Sequence, residues 1–310
     1  MKKRFLLFAL VFLAASNFMC AQVVLNSGNF PDKNFRAALA EALAVEEGGT
    51  LTANLLAETT YLELWEMNIR DLTGIGFFTA LETLECSGNE LTSLDLSKNT
   101  SLTYLCCDDN QLQSLTLSGN KALTDLYCSN NQLTSLNLSN NVELVGIGCT
   151  NNQLSSLDLS TLTKLETLSV NDNELTSLDF SNNKKLYMLD CYNNKINGVG
   201  MDKLINSLPK ATSEEGEGGI LTVISSDAKE GNVCTTKHVA DAKAKLWDVY
   251  IMKDEDWEEY AGSDITGIDN VEVGKKDVRH GYTLDGRRVG ASSMRKGLYV
   301  VDGKKVLFKQ

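Results

Sequence analysis

The chain has 310 residues, a net charge of −12 and 43% hydrophobic residues. That length suits one elongated domain with caps or two small domains, and that composition suits a soluble chain with a substantial core. The acidic balance argues against a nucleic-acid partner.

Residues 1–21 read as a secretory signal peptide. Lys2, Lys3 and Arg4 precede an apolar run too short to span a bilayer, and cleavage is expected after Ala21, before Gln22. Lipidation at Cys20 is the competing reading, although Met19 and Asn17 fit a lipidation motif poorly. No later stretch is long and apolar enough for a transmembrane segment, so a secreted or outer-surface-attached location is expected. Residues 22–60 form an N-terminal helical cap, in which Asp32 or Asn34 can cap a helix carrying Phe35, Leu39 and Leu43. The following Glu46-Glu47-Gly48-Gly49-Thr50-Leu51 looks like a worn calcium loop. Its ligand positions fall on Ala44, Gly48 and Leu55, which offer no side-chain oxygen, so it is read as a structural cap without metal.

Residues 61–201 are repetitive. Cysteine recurs every 21 residues at Cys86, Cys107, Cys128 and Cys149, misses at Val170, and returns at Cys191. Asparagine keeps the same step at Asn89, Asn110, Asn131, Asn152, Asn173 and Asn194. With the leucines, the frame is L-x-x-L-x-C-x-x-N-x-L-x-x-L-x-L-S-x-N, the signature of a leucine-rich repeat. An imperfect first repeat carries Leu62, Leu64, Ile69 and Leu72, with Met67 in place of the asparagine. In the repeat beginning at Leu102, Leu105 and Cys107 alternate with Tyr104, Cys106 and Asp108, which predicts a half-buried strand. Asn110 then turns the chain and can bond the backbone of its own and neighbouring turns. The alternation around Leu115 and Leu117 predicts a second extended segment on the opposite side. The fold class is therefore a mainly β leucine-rich-repeat solenoid with a parallel sheet, α/β by the convention of such repeats.

In-line stacking does not bring cysteine Cβ vectors together as a disulfide requires. No closely spaced cysteine pair of metal-binding type occurs. The ladder cysteines are read as packing thiols.

Residues 202–261 form a C-terminal strand–helix–strand cap that closes the solenoid. His238 lies on its helix and is expected at the surface. Residues 262–274 are a polar linker. Residues 275–310 are a small β tail with ten Lys or Arg against three Asp, a charge of 10 − 3 = +7. Asp302-Gly303 between two alternating runs predicts a hairpin.

No nucleophile elbow, zinc motif or phosphate loop occurs, so no enzyme activity, cofactor or metal is expected. Asp108-Asp109-Asn110 and Asn171-Asp172-Asn173 are turn chemistry. The outward strand positions carry the candidate ligand-binding residues: Tyr61, Glu63, Trp65, Glu85, Tyr104, Asp108, Asp125, Tyr127, Asp190 and Tyr192. This face has five aromatics, five acids and no lysine or arginine, and Gly146 with Gly148 leaves a notch beside Tyr127. Exposed aromatics are anchor candidates, and the expected partner is a protein with basic side chains or a glycan. The alternative is a passive structural spacer of the cell surface with no specific ligand. A monomer is expected.

The 21-residue repeat with cysteine in a strand-leucine position resembles the cysteine-ladder repeats of bacterial surface proteins of the internalin J type. The resemblance is close over residues 81–199 and loose over 61–75. It implies a secreted or surface-attached, non-enzymatic protein with a role in adhesion to host or neighbouring cells. The segment before the repeats resembles one that precedes such repeats in gut bacterial proteins. The tail, through Tyr282, Asp285-Gly286-Arg287, Gly297-Leu298-Tyr299 and its lysine-rich last strand, resembles the sorting module of the type IX secretion system of Bacteroidetes. It is shorter than a typical module, and a β appendage with no sorting role is the other reading.

Overall fold

The structure is a computed structural model that describes residues 22–211, 218–254 and 256–263, together with the backbone strands of the tail. The expected signal peptide, most of the linker, and the Asp285-Gly286-Arg287 and Asp302-Gly303 motifs lie outside the described residues.

The chain begins with β1 (Val23–Val24), α1 (Lys33–Ala42), β2 (Thr50–Leu51) and α2 (Ala53–Glu58). Asp32 is the N-cap of α1, and its Oδ1 accepts from the amides of Asn34 at 2.8 Å and Phe35 at 3.0 Å. This satisfies two of the donors that the first helical turn leaves unpaired. The helix buries Phe35 and Leu39, and Phe35 meets Phe30 edge-on with centroids 5.7 Å apart. β1 and β2 pair antiparallel, so the worn calcium loop leads into a strand.

Seven short strands follow, one per repeat: β3 (Tyr61–Glu63), β4 (Thr83–Glu85), β5 (Tyr104–Cys106), β6 (Asp125–Tyr127), β7 (Gly146–Gly148), β8 (Thr167–Ser169) and β9 (Met188–Asp190). Each pairs parallel and in register with the next. The central residue of each strand points into the core, as the period-2 alternation requires. Cys86, Cys107, Cys128, Cys149, Val170 and Cys191 stack behind them at 0% exposure, and the described cysteines are free. Burial pushes the Cys149 thiol up to about 12 and raises Cys107, Cys128 and Cys191 well above the ordinary thiol range. The ladder sulfurs are therefore neutral packing groups.

After each strand the backbone passes through a left-handed residue. After β3 that residue is Glu66, and from β4 onward the column is Gly88, Asp109, Asn130, Asn151, Asp172 and Asn193, all with φ between 50° and 65°. Glycine, asparagine and aspartate are the residues that tolerate this conformation. The next residue is the ladder asparagine. Asn131 Nδ2 donates to Cys107 O at 3.0 Å, Cys128 O at 3.2 Å and Ser129 O at 3.1 Å, while its Oδ1 accepts from Leu112 N at 2.9 Å.

The expected second strand around Leu115 and Leu117 does not form; among the described residues that segment belongs to no strand. Its leucines are buried as expected, each contributing roughly 1.5–3 kcal/mol of burial. Its backbone is met instead by short turns and by a second asparagine column. Asn120 N donates to Leu117 O at 3.0 Å, and Asn120 Nδ2 donates to Leu96 O at 3.0 Å and Asn99 O at 2.8 Å.

Beyond the repeats come α3 (Val199–Ser207), β10 (Gly219–Ser225), α4 (Thr236–Lys243), β11 (Trp247–Lys253) and β12 (Asp256–Glu259). β10 and β11 extend the parallel sheet and β12 pairs antiparallel with β11, giving ten strands in all. Asn232 continues the strand-side ladder: its Nδ2 donates to Cys191 O at 2.7 Å and its Oδ1 accepts from Ile196 N at 2.8 Å. His238, expected at the surface, is buried. It closes a capping box at the start of α4, accepting from Thr235 N through Nδ1 at 3.1 Å, and its Nε2 lies 2.9 Å from Asp202 Oδ1 on α3.

The tail strands are β13 (Glu272–Val273), β14 (His280–Tyr282), β15 (Arg288–Gly290), β16 (Gly297–Val301) and β17 (Lys304–Phe308). They form a separate sheet in the order β13-β17-β16-β14-β15. Val301 faces Lys304 across the antiparallel pair of β16 and β17.

Candidate site on the exposed sheet face

Parallel, in-register pairing puts equivalent side chains of successive repeats in rows. One row holds Tyr61, Thr83, Tyr104, Asp125, Gly146, Thr167 and Met188. The next holds Glu63, Glu85, Cys106, Tyr127, Gly148, Ser169 and Asp190. Trp65, Asp108 and Tyr192 follow their strands by the same alternation. All ten predicted residues therefore share one face. The cap lengthens it: Ile220 stands beside Met188, and Thr222 and Tyr250 continue the row of Asp190. Sequence reasoning missed these residues because the step from Met188 to Ile220 is 32 residues, not 21.

The ten do not form one cluster. Tyr61, Glu63, Trp65 and Glu85 share the first two strands, and Tyr61 and Trp65 are 51% and 48% exposed. The Trp65 indole Nε1 donates to Glu63 Oε1 at 2.6 Å. In the middle, the rings of Tyr104 and Tyr127 pack with centroids 5.7 Å apart. The notch expected at Gly146 and Gly148 is filled. A Cβ on Gly148 would come within 2.9 Å of Tyr127 Cδ1, so the glycines let the Tyr127 ring lie down across the sheet. Asp190 and Tyr192 lie at the far end.

The acids differ in how they are held. Burial pushes the Asp108 carboxyl above the usual carboxylate range, opposed by the Ser129 amide that donates to its Oδ1. Burial likewise raises Asp190, whose Oδ2 accepts from Ser169 Oγ at 3.3 Å. Tyr104 and Tyr192 are pushed up to about 12, by burial first and then by nearby negative groups. The phenols thus stay neutral donors across the physiological range. Cys106, the outward cysteine, is only partly exposed. Its thiol sits 3.5 Å from Ser87 Oγ and is raised by burial, so it is less reactive than an open thiol.

Basic side chains lie off this face. Lys164 pairs with Glu143, Lys185 with Glu166, Lys195 with Glu174, and Arg70 with Glu90. Away from the sheet, a cleft of about 550 Å³ is lined by Phe77, Lys98, Asp71 and Asp95 among others. Its two aspartates accept from the amides of Thr73 and Ser97 in their own turns. Among the described residues no group of three or more His, Cys, Asp or Glu is arranged to hold a metal ion, and no helix is long and apolar enough to cross a membrane.

No protein-family model matches the chain. A stretch of 71 residues, 23% of this chain, is 41% identical to internalin J of Listeria monocytogenes serotype 4b, and the match covers 8% of that protein's length. Among solved structures, the functional domain of internalin J of Listeria monocytogenes, which includes a cysteine ladder, is 29% identical. The likeness covers 75% of this chain and 57% of that one, with a TM-score of 0.53. An internalin C2 of the same species is 22% identical and shares the fold over 74% of this chain and 98% of that one, at a TM-score of 0.60. The chain is a leucine-rich-repeat solenoid with an internal cysteine ladder, similar in repeat and in fold to internalin J.

Proposed function

We propose that the solenoid is a non-enzymatic binding module at the cell exterior, and that it recognises a protein carrying basic side chains through the exposed sheet face. One observation carries this reading. The rows from β3 to β9 present aromatics and carboxylates without a lysine or arginine, whereas Lys164, Lys185 and Lys195 pair with glutamates off this face. Such a surface offers anchors and a charge pattern on a rigid sheet. The likeness to internalin J supports the same direction.

A protein and glycan array probed with the chain lacking residues 1–21 tests the proposal. Tyr127→Ala should weaken the leading protein hit by about 2 kcal/mol, the scale of a central aromatic anchor. Lys98→Ala, off the face, should leave it unchanged. Hits confined to glycans would replace the partner class. Loss with Lys98→Ala but not with Tyr127→Ala would move the site off the sheet. The absence of any hit would favour the spacer role.

In this proposal residues 1–21 are removed on export, 22–60 and 202–261 cap the repeats of 61–201, and 262–274 link them to a sorting module at 275–310. The self-contained sheet of the tail supports the last point. Truncation after residue 274 should retain the protein inside the cell envelope with its thermal melting unchanged. Normal release of the truncated chain would leave the tail a plain β appendage.

A further inference from the structure

The carboxylates of the sheet face are held differently along its length. Asp108 and Asp190 are partly buried and each accepts from a donor of a neighbouring repeat, Ser129 N of the following repeat for Asp108 and Ser169 Oγ of the preceding one for Asp190. Glu63 and Glu85 are held differently: Glu63 accepts from Trp65 Nε1 within its own repeat, at 2.6 Å. They stand directly opposite each other on β3 and β4, where side chains of adjacent strands are about 5 Å apart. Like charges in that position repel. The flank glutamates Glu90 and Glu166 meet a cation at 2.8 and 3.3 Å, yet among the described residues no lysine or arginine pairs with Glu63 or Glu85.

Glu63 also sits between the two most exposed aromatics of the repeats, with Glu85 beside it on β4. Glu63 lies between Tyr61 on β3 and Trp65 in the turn that follows, so a cation held on Glu63 lies two residues, about 7 Å of extended chain, from each aromatic position, where long rings reach back. The indole is already oriented, because its Nε1–H is committed to Glu63 Oε1 at 2.6 Å. That bond leaves the flat of the ring, and not its N–H, as the free recognition surface. A planar cation that stacks on aromatics and bridges carboxylates suits this arrangement better than a spherical ammonium.

We propose that Tyr61, Glu63, Trp65 and Glu85 form a guanidinium-binding box that takes an arginine side chain from the partner protein. The inference rests on the reading of the sheet face as the binding surface and adds to it the residue type recognised first.

Nitrogen-15 NMR of the intact protein tests it, with N-acetyl-arginine amide as the probe. The three indole Nε1–H signals are assigned by Trp→Phe substitution. The probe should shift the Trp65 signal saturably at millimolar concentration and leave buried Trp247 in place. The lysine analogue should bind several-fold more weakly, and the neutral citrulline analogue should not bind. Glu63→Gln combined with Glu85→Gln should weaken the probe about tenfold, the loss of a charge-assisted pair. Glu90→Gln, the same charge change on the flank, should leave it within twofold. An unchanged Trp247 signal reports that each variant is folded. A Trp65 signal that ignores the arginine probe, equal response to lysine or citrulline, or equal weakening by Glu90→Gln would overturn the box. An array hit lost with Tyr127→Ala but untouched by the double glutamine variant would also overturn it while leaving the face reading intact.

Discussion

The solenoid carries two asparagine columns, and they are built on different terms. On the strand side, Asn110 Nδ2 donates to Cys86 O, Cys107 O and Asp108 O, and its Oδ1 accepts from Leu91 N at 3.0 Å. Every polar atom of the side chain is used. On the back side, Asn99, Asn120, Asn141 and Asn183 each donate to two carbonyls, but their buried Oδ1 atoms have no protein partner. Their target carbonyls are also less needy. Leu96 O already accepts from Asn99 N at 3.0 Å and Asn99 O from Leu102 N at 3.3 Å, so the turn closes without the side chain. The strand-side column runs unbroken from Asn89 to Asn194 and is continued by Asn232. The back column is interrupted by Leu162, which is buried like its neighbours. A rung is kept where it is the partner of an otherwise unpaired backbone amide, and released where the backbone already pairs with itself.

Breaking the strand-side column should have the largest effect. In Asn131→Leu, the buried amide of Leu112 loses its acceptor, and the Cys107 and Cys128 carbonyls each lose one of two donors. An orphaned buried amide alone costs about 1–3 kcal/mol, so a total loss of roughly 3 kcal/mol is expected in urea unfolding. The variant should also loosen the strand ends that present Tyr127 and Asp108. A loss below about 1 kcal/mol would show that water replaces the amide freely and that the ladder is not the constraint proposed.

Much of this was legible from repetition alone. A cysteine and an asparagine kept at one spacing while their neighbours vary mark positions where burial and hydrogen bonding leave little choice, and Val170 shows that the cysteine column needs only a small apolar group. The outward face followed from strand alternation. What escaped were features that leave the 21-residue step. Asn232 reaches the ladder from a loop of the cap, and Ile220 and Tyr250 join the face after an inserted helix. His238 was misplaced because an imidazole at the third helical position does the work usually done by glutamate or glutamine. The ring of Tyr127 fills the glycine notch because aromatic side chains lie across neighbouring strands, which a one-strand alternation pattern does not register. The back column sat in the repeat frame as its closing asparagine, and the structure shows its use: Asn99 is fully buried, and its amide is committed to Ile75 O and Phe78 O.

The smallest effects should come from exchanging rungs on the back side, and they test the comparison most directly. Asn120→Leu removes two donor contacts, but both carbonyls keep a backbone donor and the unpartnered Oδ1 disappears. Leucine of similar length already sits at the equivalent position 162, where the Leu162 amide still donates to Leu159 O at 3.0 Å and Leu165 N to Leu162 O at 3.2 Å. The net change should lie within about 1 kcal/mol of the parent, with no loss of sheet structure. Leu162→Asn asks the converse. It restores two donor contacts and adds one more buried oxygen without a protein donor, so it too should stay within about 1 kcal/mol. If Asn120→Leu instead costs as much as Asn131→Leu, the backbone turns do not hold the back side by themselves, and Leu162 is tolerated only because its own repeat compensates. If Leu162→Asn stabilises by more than that margin, the orphan oxygens of the column are satisfied by ordered water, and the two columns differ in their partners but not in their worth.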